Sequence, residues 1–381
     1  MKQHTLFLIL SVLILSCGSE KNKVGYNADG LLVLTFDDQS SSTFFSDRIF
    51  GKVEMIPLET TDDCLVGREP DLLSSDDRHF FIWDHQQQFI MRFDRTGKYI
   101  NRIGSRGVGP GEYSSMGDCF IDTFANTVDI LAHRGQILRY DYDGTFISSR
   151  TYGNNPLSFV KTGTDYWFYI GVIPEAGEGR LIKISEDGTV VEKFLPVKTT
   201  WPIPFGIVKN FTRCGNIITL NEYISHAVYR ITKDGPMQTT VLNFGKYAIP
   251  HTVFEGDFET VTDKLSEKGC ALIFKYLENE RFVYVHFQTL QGEDFNGFYY
   301  WLVNKKTGNS VLQKFSQDDP LYKMMAEAQI LTADDQLVFM VNAQMLKACT
   351  DLFFNHAVGV VRGSLSEDAN PVIKTLKINE F

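Results

Sequence analysis

A short stretch that recurs along the chain decides the fold: Phe93-Asp94-Arg95-Thr96-Gly97-Lys98-Tyr99-Ile100. It returns 47 residues later as Tyr140-Asp141-Tyr142-Asp143-Gly144-Thr145-Phe146-Ile147. Asp and Gly at a turn, between alternating apolar and polar residues, are typical of a β-hairpin. Further copies, some of them degenerate, lie at 184–191, 231–235, 304–311 and 366–371. The sequence therefore contains six copies of one hairpin.

A second strand with the same alternation precedes each turn, at 80–83, 128–131, 167–170, 217–220, 282–285 and 337–340. Each repeat has room for four short strands. Six such units predict an all-β fold, a six-bladed β-propeller. The two longest spacings between copies hold insertions near 251–267 and 318–328, and the helical spacing of their apolar residues predicts a short helix in each.

One strand is left over before the first blade: Val53-Glu54-Met55-Ile56-Pro57-Leu58. A propeller that closes its ring leaves no long exposed strand edge. We therefore expect this strand to pair with the last blade, formed by about 357–378. Residues 30–381 are then one closed domain.

The N-terminus is typical of a secretory signal, with Lys2, an apolar run from Leu6 to Leu15 and a small-residue site. The run is too short to span a bilayer. Leu15-Ser16-Cys17-Gly18 resembles a bacterial lipobox, which implies that residues 1–16 are removed and that Cys17 becomes the lipidated first residue. An ordinary signal peptide with an incidental cysteine is the alternative. Residues 17–29 are small and polar and are expected to form a tether.

Composition excludes several classes of protein. The 37 basic and 47 acidic side chains give a net charge of −10. This acidic balance, together with the absence of a Lys/Arg run, argues against nucleic acid or an anionic membrane surface as the main partner. An aromatic content of 13% indicates a packed, strand-rich globule and not a disordered chain. Beyond Cys17, five cysteines remain, and none forms a Cys-x-x-Cys pair. No disulfide or zinc site is predicted from them.

Two segments carry a resemblance to a known family. They are Val53-Glu54-Met55-Ile56-Pro57-Leu58-Glu59-Thr60-Thr61-Asp62-Asp63-Cys64-Leu65-Val66-Gly67-Arg68 and Ile103-Gly104-Ser105-Arg106-Gly107-Val108-Gly109-Pro110-Gly111-Glu112-Tyr113. Both resemble the signature of the six-bladed β-propeller lipoproteins of Bacteroidetes, which are akin to NHL-repeat propellers. The resemblance implies a lipoprotein of the periplasm or outer-membrane surface and transfers no catalytic residue.

The candidate binding residues lie on one rim, where the hairpins between second and third strands meet the crossings between blades. They are His85, Tyr113, His133, Arg134, Glu222, Tyr223 and His226. Polar and aromatic side chains of this kind bind sugars or peptides through hydrogen bonds and stacking. The alternative is that hairpin tips are polar only because they face water. A zinc site made of the histidines is disfavoured, because the tips of different blades need not converge.

Asp71 and Asp118 are 47 residues apart and take the same repeat position on successive innermost strands. Carboxylates around the axis suit calcium, which takes oxygen ligands. The other four blades offer Ser158, Gly206, a stretch near Cys270 and Glu327, so the oxygen set is incomplete. The alternative is a solvated axial channel that needs a polar lining.

We therefore expect a monomeric, lipid-anchored module of the cell envelope that binds a glycan, a peptide or an envelope protein and contacts the membrane only through its lipid. No Gly-x-Ser-x-Gly or His-Glu-x-x-His motif is present, and no catalytic machinery is evident. Two alternatives remain open. One is a calcium-assisted propeller hydrolase or lyase acting at the axial end, and the other is a structural role in an envelope complex.

Overall fold

The structure, a computed structural model, describes residues 22–39, 41–68, 70–75, 78–171, 179–196, 209–223, 225–249, 253, 256–291, 294–325, 327–348, 361–366 and 368–381. Its strands form six sheets that follow one another around an axis, which confirms the six-bladed propeller. Within each blade we count the strands from first to fourth, from the axis outwards. Among the described helices, none combines the length and the apolar character needed to cross a membrane.

The chain begins with three strands that belong to later blades: β1 (Lys23–Tyr26), β2 (Leu32–Thr35) and β3 (Phe50–Pro57). Blade one contains β4 (Asp71–Ser75), β5 (His79–Asp84), β6 (Phe89–Asp94) and β7 (Tyr99–Ile103). Blade two contains β8 (Met116–Asp122), β9 (Thr127–Ala132), β10 (Gln136–Asp141) and β11 (Phe146–Thr151). Blade three contains β12 (Ser158–Thr162), β13 (Asp165–Tyr169), β14 (Gly179–Ile184) and β15 (Val190–Pro196).

Blade four contains β16 (Phe211–Cys214), β17 (Ile217–Asn221), β18 (Ala227–Thr232) and β19 (Gly235–Asn243). Blade five contains β20 (Cys270–Glu278), β21 (Phe282–Gln291), β22 (Asp294–Asn304) and β23 (Ser310–Phe315). Blade six contains β24 (Ala328–Leu331), β25 (Gln336–Val341) and β26 (Val372–Ile378), with β3 as its outer strand.

The repeated Asp/Gly stretch forms the hairpin between the third and fourth strands. Asp94 Oδ1 accepts a hydrogen bond from the backbone N–H of Lys98 (3.0 Å), and Asp141 Oδ1 accepts one from that of Thr145 (2.8 Å). Gly97 has a φ of +87°, which glycine adopts without the steric cost of a Cβ atom. The register shifts where the third strand enters this turn in blades one to three. Local turn chemistry thus sets the position of these outer hairpins.

The predicted ring closure is confirmed, because β3 pairs antiparallel with β26, with Ile56 opposite Ile373. The last blade therefore has no hairpin between its third and fourth strands, since these come from opposite ends of the chain. The degenerate sixth copy of the turn at 366–371 is accordingly wrong as a hairpin: these residues lead into β26.

The N-terminal segment contributes more than the predicted closing strand. β2 pairs parallel with β19, and β1 pairs antiparallel with β2, so that blade four has six strands. Leu34 of β2 is fully buried in the core cluster that also contains strands of blade five. The tether expected at 17–29 is therefore shorter, because residues 23–26 belong to a sheet.

Helices occupy both predicted insertions: α1 (Phe258–Lys268) and α2 (Pro320–Met325). Asp257 caps α1 by accepting a hydrogen bond from the backbone N–H of Thr260 at 2.9 Å. A third helix, α3 (Ala343–Ala348), was not predicted and follows β25.

A basic side chain at one position of the third strand connects neighbouring blades. Arg139 of blade two lies 3.2 Å from Glu186 of blade three and pairs within its own blade with Asp129. Asp129 is 1% exposed, so its charge needs this partner. The position repeats around the ring as Arg92, Arg139, Lys183 and Arg230, each of which contacts the following blade.

Removal of β3 should open the ring. A chain that begins at residue 59 leaves β26 as an exposed edge and loses the core side chains Phe44 and Phe50. We expect it to lose cooperative thermal unfolding and amide protection in β26, measured by calorimetry and hydrogen exchange.

The control is a chain that begins at residue 41, which lacks β1 and β2 but keeps β3. It should unfold cooperatively at a lowered melting temperature. Addition of a peptide of residues 43–59 to the chain that begins at 59 should restore protection in β26. Equal melting temperatures for the two shortened chains would contradict the closing role of β3.

Candidate functional site

The first strands of the six blades, β4, β8, β12, β16, β20 and β24, line the axis and contact one another around the ring. All run in the same direction, so their starts gather at one end. Four of them are bulged, with register shifts at Leu72/Ser74, Met116/Asp118, Ile273/Lys275 and Ala328/Ile330. A bulge changes which side chains face a surface. It places Asp118 and Lys275 at the lining of an axial cavity.

The axial cavity has a volume of about 750 Å³. Its walls combine polar side chains with apolar and aromatic ones, among them Phe120, Phe159 and Phe211. Polar and charged side chains lie at both ends. At the end formed by the turns between first and second strands the cavity reaches the surface, where Phe124 is 81% exposed. This mouth lies on the opposite face from the rim predicted from the sequence.

The other end of the cavity contains a cluster of paired charges, which we call the axial charge cluster: Asp71, His85, Asp118, Lys209, Lys275, His286 and Glu327. Asp71 Oδ2 lies 3.3 Å from Lys209 Nζ and 3.0 Å from His85 Nε2. Burial would raise the pKa of Asp71, but the charges of Lys209 and Lys275 and the hydrogen bond with His85 hold that pKa well below its usual range. Asp71 is therefore ionised at neutral pH.

A second pair completes the cluster. Glu327 lies 3.3 Å from Lys275 Nζ through one oxygen and 2.7 Å from His286 Nδ1 through the other. The second ring nitrogen of His286 is 3.2 Å from the hydroxyl of Tyr322. Burial opposes ionisation of Glu327, yet Lys275 and His286 lower its pKa to about 2. The pair is thus charged.

Asp118 differs from the other two carboxylates. It is 6% exposed, and its Oδ2 accepts a hydrogen bond from the backbone N–H of Phe159 at 2.9 Å. Burial raises its pKa to about 6, against the lowering effect of Lys209 and with a smaller raising effect of Asp71. Asp118 therefore changes charge in a pH range where its two neighbours do not.

Tyr113, one of the predicted rim residues, is structural. It is 2% exposed, and its hydroxyl donates a hydrogen bond to the backbone carbonyl of Gln88 at 2.7 Å. Burial raises its pKa. The neighbouring Glu112 accepts a hydrogen bond from the backbone N–H of Gly109 at 2.8 Å and thereby holds the glycine-rich crossing.

The rim residues predicted on blades two and four, in the hairpins between second and third strands, do not lie together in the structure. His133 and Arg134 are exposed at the turn between β9 and β10. Glu222 is 2% exposed and is paired with Arg180 of blade three at 2.8 Å. It also accepts a hydrogen bond from the hydroxyl of Tyr169 at 2.9 Å. Glu222 thus links two blades and does not present a carboxylate to the rim.

Tyr223 and His226 pack against aromatic rings. The ring of Tyr223 is 5.6 Å from that of Phe274, and the ring of His226 is 4.8 Å from that of Phe244. Burial lowers the pKa of His226. Of the seven predicted rim residues, the structure thus brings one, His85, into the axial charge cluster.

Asp71 and Asp118, predicted as calcium ligands, both belong to the cluster, where the positive charge of Lys209 acts on both of them. Its ammonium group is 3.3 Å from Asp71. Within the described part of the chain, no three His, Cys, Asp or Glu side chains gather as metal ligands. The calcium site stays a prediction, and Lys209 is the observation that counts against it. Cys17 and the rest of 1–21 lie outside the described residues, as does Gly206.

Sequence reasoning missed the two lysines. Lys275 is the single cation in the otherwise apolar run of β20 (CALIFKYLE), and that isolation was a usable signal. Lys209 comes two residues before β16, outside the repeated turn, and nothing in its sequence context marks it.

The raised pKa of Asp118 and the lowered pKa of Glu327 predict that these two residues affect the free energy of unfolding with opposite pH dependences. Asp118 has a raised pKa, so its ionisation between about pH 4 and 6 costs folding free energy. Asp118→Asn removes that cost, and relative to the wild type it should gain on the order of 3 kcal/mol of unfolding free energy from pH 4 to 7.5.

Glu327 has a lowered pKa, so it stabilises the fold above about pH 4.5 and loses this effect as the pH falls towards 2. Glu327→Gln should be less stable than the wild type at pH 6, and the difference should shrink below pH 4.5. Urea unfolding of both variants at a series of pH values measures these differences. Parallel pH profiles for the two variants would contradict the assignment.

The comparisons with known proteins agree with this architecture. The family model described as "Domain of unknown function (DUF4934)" matches residues 33–377. The fold is similar to that of a "Putative exported protein" from Bacteroides fragilis NCTC 9343, with a TM-score of 0.76 and 18% identity over 91% of this chain and 100% of that one.

It is also similar to a member of the DUF4221 family from Bacteroides vulgatus ATCC 8482, with a TM-score of 0.54 and 12% identity over 87% of this chain and 98% of that one. At these identities the likeness shows the fold alone. No curated protein matches the chain significantly.

Proposed function

This chain belongs to the DUF4934 family, and we propose that it is an extracytoplasmic binding module that holds a small ligand in the axial cavity of its propeller. The observation that carries the proposal is the cavity itself, whose volume of about 750 Å³ lies within the range of ligand pockets. A concave site on a rigid ring of sheets, in which polar groups are combined with apolar and aromatic side chains, is suited to specific binding.

The shape of the site favours some of the expected partners over others. A glycan of one or two sugar units or the end of a peptide fits an axial cavity. A folded envelope protein needs a broad contact surface, and the predicted rim residues do not form one continuous patch. The proposal assigns no catalytic step to the cavity.

The expected location rests on the N-terminal sequence. Residues 1–16 have the pattern of a secretory signal, and the similar propeller from Bacteroides fragilis is described as exported. We therefore propose that the chain is exported and that Cys17 is lipidated. Five residues later the described chain begins, and β1 starts at Lys23, so the lipid would hold blade four close to the membrane.

Binding in the cavity can be separated from binding at the rim. A thermal-shift screen of residues 22–381 against neutral and acidic saccharides and short peptides should yield a ligand, since saturation at 100 times Kd adds about 2.7 kcal/mol. Val160→Trp fills the cavity, because Val160 lines it, and should abolish the shift. Phe124→Ala, at the exposed mouth, should weaken it without loss of folding.

The control for the rim is His133→Ala, because His133 is exposed on the opposite face. This variant should bind as the wild type does. A ligand whose binding survives Val160→Trp and is lost in His133→Ala would place the site on the rim and overturn the proposal.

Lipidation is tested on the full chain. In a bacterial host that processes lipoproteins, a labelled fatty acid should be incorporated into the wild type and not into Cys17→Ser, and the variant should leave the membrane fraction. Cys119→Ser serves as the control because Cys119 lies on an inner strand of the folded domain. Equal labelling of wild type and Cys17→Ser would contradict lipidation at Cys17.

A further inference from the structure

The charge of the axial cavity is opposite to that of the protein. The chain has a net charge of −10. Among the lining residues that the structure describes, five are cationic and two are acidic: Arg78, Arg95, Lys209, Arg213 and Lys275 against Asp118 and Asp334. A cavity whose lining has an excess of cationic side chains favours a ligand of negative charge.

The two lysines of the axial charge cluster lie at the base of this cavity. Lys209 and Lys275 both line it, and the charges of both act on Asp71, so they lie at the same end. Their carboxylate partners, Asp71 and Glu327, are not part of the lining. The two carboxylates thus lie outside the lining, and the two lysines contribute to it.

Each ammonium group has hydrogen-bonding capacity left for a ligand. A lysine has three N–H donors. Within the described residues, the ion pairs of Lys209 and Lys275 are with Asp71 at 3.3 Å and Glu327 at 3.3 Å. The side chain of Lys275 is only 9% exposed. A buried ammonium group with unused donors is stabilised by an anionic group that accepts them.

The walls and the mouth fit the rest of such a ligand. Phe120, Phe159 and Phe211 provide an apolar surface between the lysines and the mouth. At the mouth, the guanidinium of Arg213 lies 5.3 Å from the ring centre of Phe120. At about 30 Å³ per water, the cavity holds roughly 25 water molecules, so it has room for a molecule of disaccharide size together with some water.

We propose that the ligand is an organic anion of this size, whose carboxylate or sulfate group lies between Lys209 and Lys275 while its carbon skeleton contacts the phenylalanine walls. This inference rests on the proposed function, since it names the ligand class for the same cavity. It also gives the axial charge cluster a role: the carboxylates of Asp71 and Glu327 keep the two lysines charged and oriented.

The test uses matched pairs of probes that differ only in charge. The folded domain is titrated by calorimetry with uronate di- and trisaccharides and with sulfated disaccharides, each beside its neutral parent sugar. At least one acidic probe should bind, and its neutral parent should bind at least tenfold more weakly. The two acidic sets distinguish a carboxylate from a sulfate.

The variants test each lysine without a change in the net charge of the axial charge cluster. Lys209→Met combined with Asp71→Asn, and Lys275→Met combined with Glu327→Gln, each remove one lysine together with its partner charge. Each pair should weaken binding of the acidic probe about 10- to 100-fold, as expected for a hydrogen bond to a charged group. Lys161→Met is the control, because Lys161 lies on β12 but does not line the cavity.

The outcomes separate this inference from the proposed function. If the neutral parents bind as tightly as the acids and Val160→Trp abolishes both, the cavity is a binding site but its ligand is not an anion, and the inference fails. If no acidic probe binds at millimolar concentration, the inference fails as well. If an acid binds equally to the lysine variants and the wild type, the lysines are not its site.

Discussion

The antiparallel pairing of β3 with β26 is the constraint on which the rest of the structure depends. Six sheets surround an axis only if the last one is fixed to the first part of the chain, and β3 is the strand that does this. The closed ring brings the starts of six inner strands to one place. Without that convergence, Asp71 of blade one could not meet Lys209 near blade four at 3.3 Å. The cavity and its charges are therefore consequences of closure.

The axial charge cluster shows how a propeller holds ionised groups near its axis. Two lysines and two carboxylates form pairs, so that each charge has a partner of opposite sign. Asp118 is the exception, because it relies on the backbone N–H groups of Phe159 and Cys119 and on the charge of Lys209. Bulges in β8 and β20 bring Asp118 and Lys275 to the lining of the axial cavity, so these two strands depart from regular geometry at the candidate site.

The blades were predictable from the sequence because the turn at 93–100 repeats its own local chemistry, in which an aspartate accepts backbone hydrogen bonds and a glycine takes a positive φ. Closure was predictable because a leftover strand needs a partner. The parallel pairing of β2 with β19 was not, since it depends on packing between distant segments. Lys209 was missed because it precedes β16 and lies outside the repeated turn. The ion pair of Glu222 was not predicted, because the sequence does not show when a polar hairpin residue pairs with a neighbouring blade.

Closure also has a consequence for the order of events in folding. Glu54 and Thr375, which face each other across the closing pair, are 321 positions apart in the chain. β3 therefore cannot complete its pairing until β26 has been made, and contacts of such separation form slowly. Until residue 378 is available, β3 and the inner strands of blade six have unpaired edges, which attract other strands. Ring closure is therefore a late step of folding that needs the chain up to Ile378.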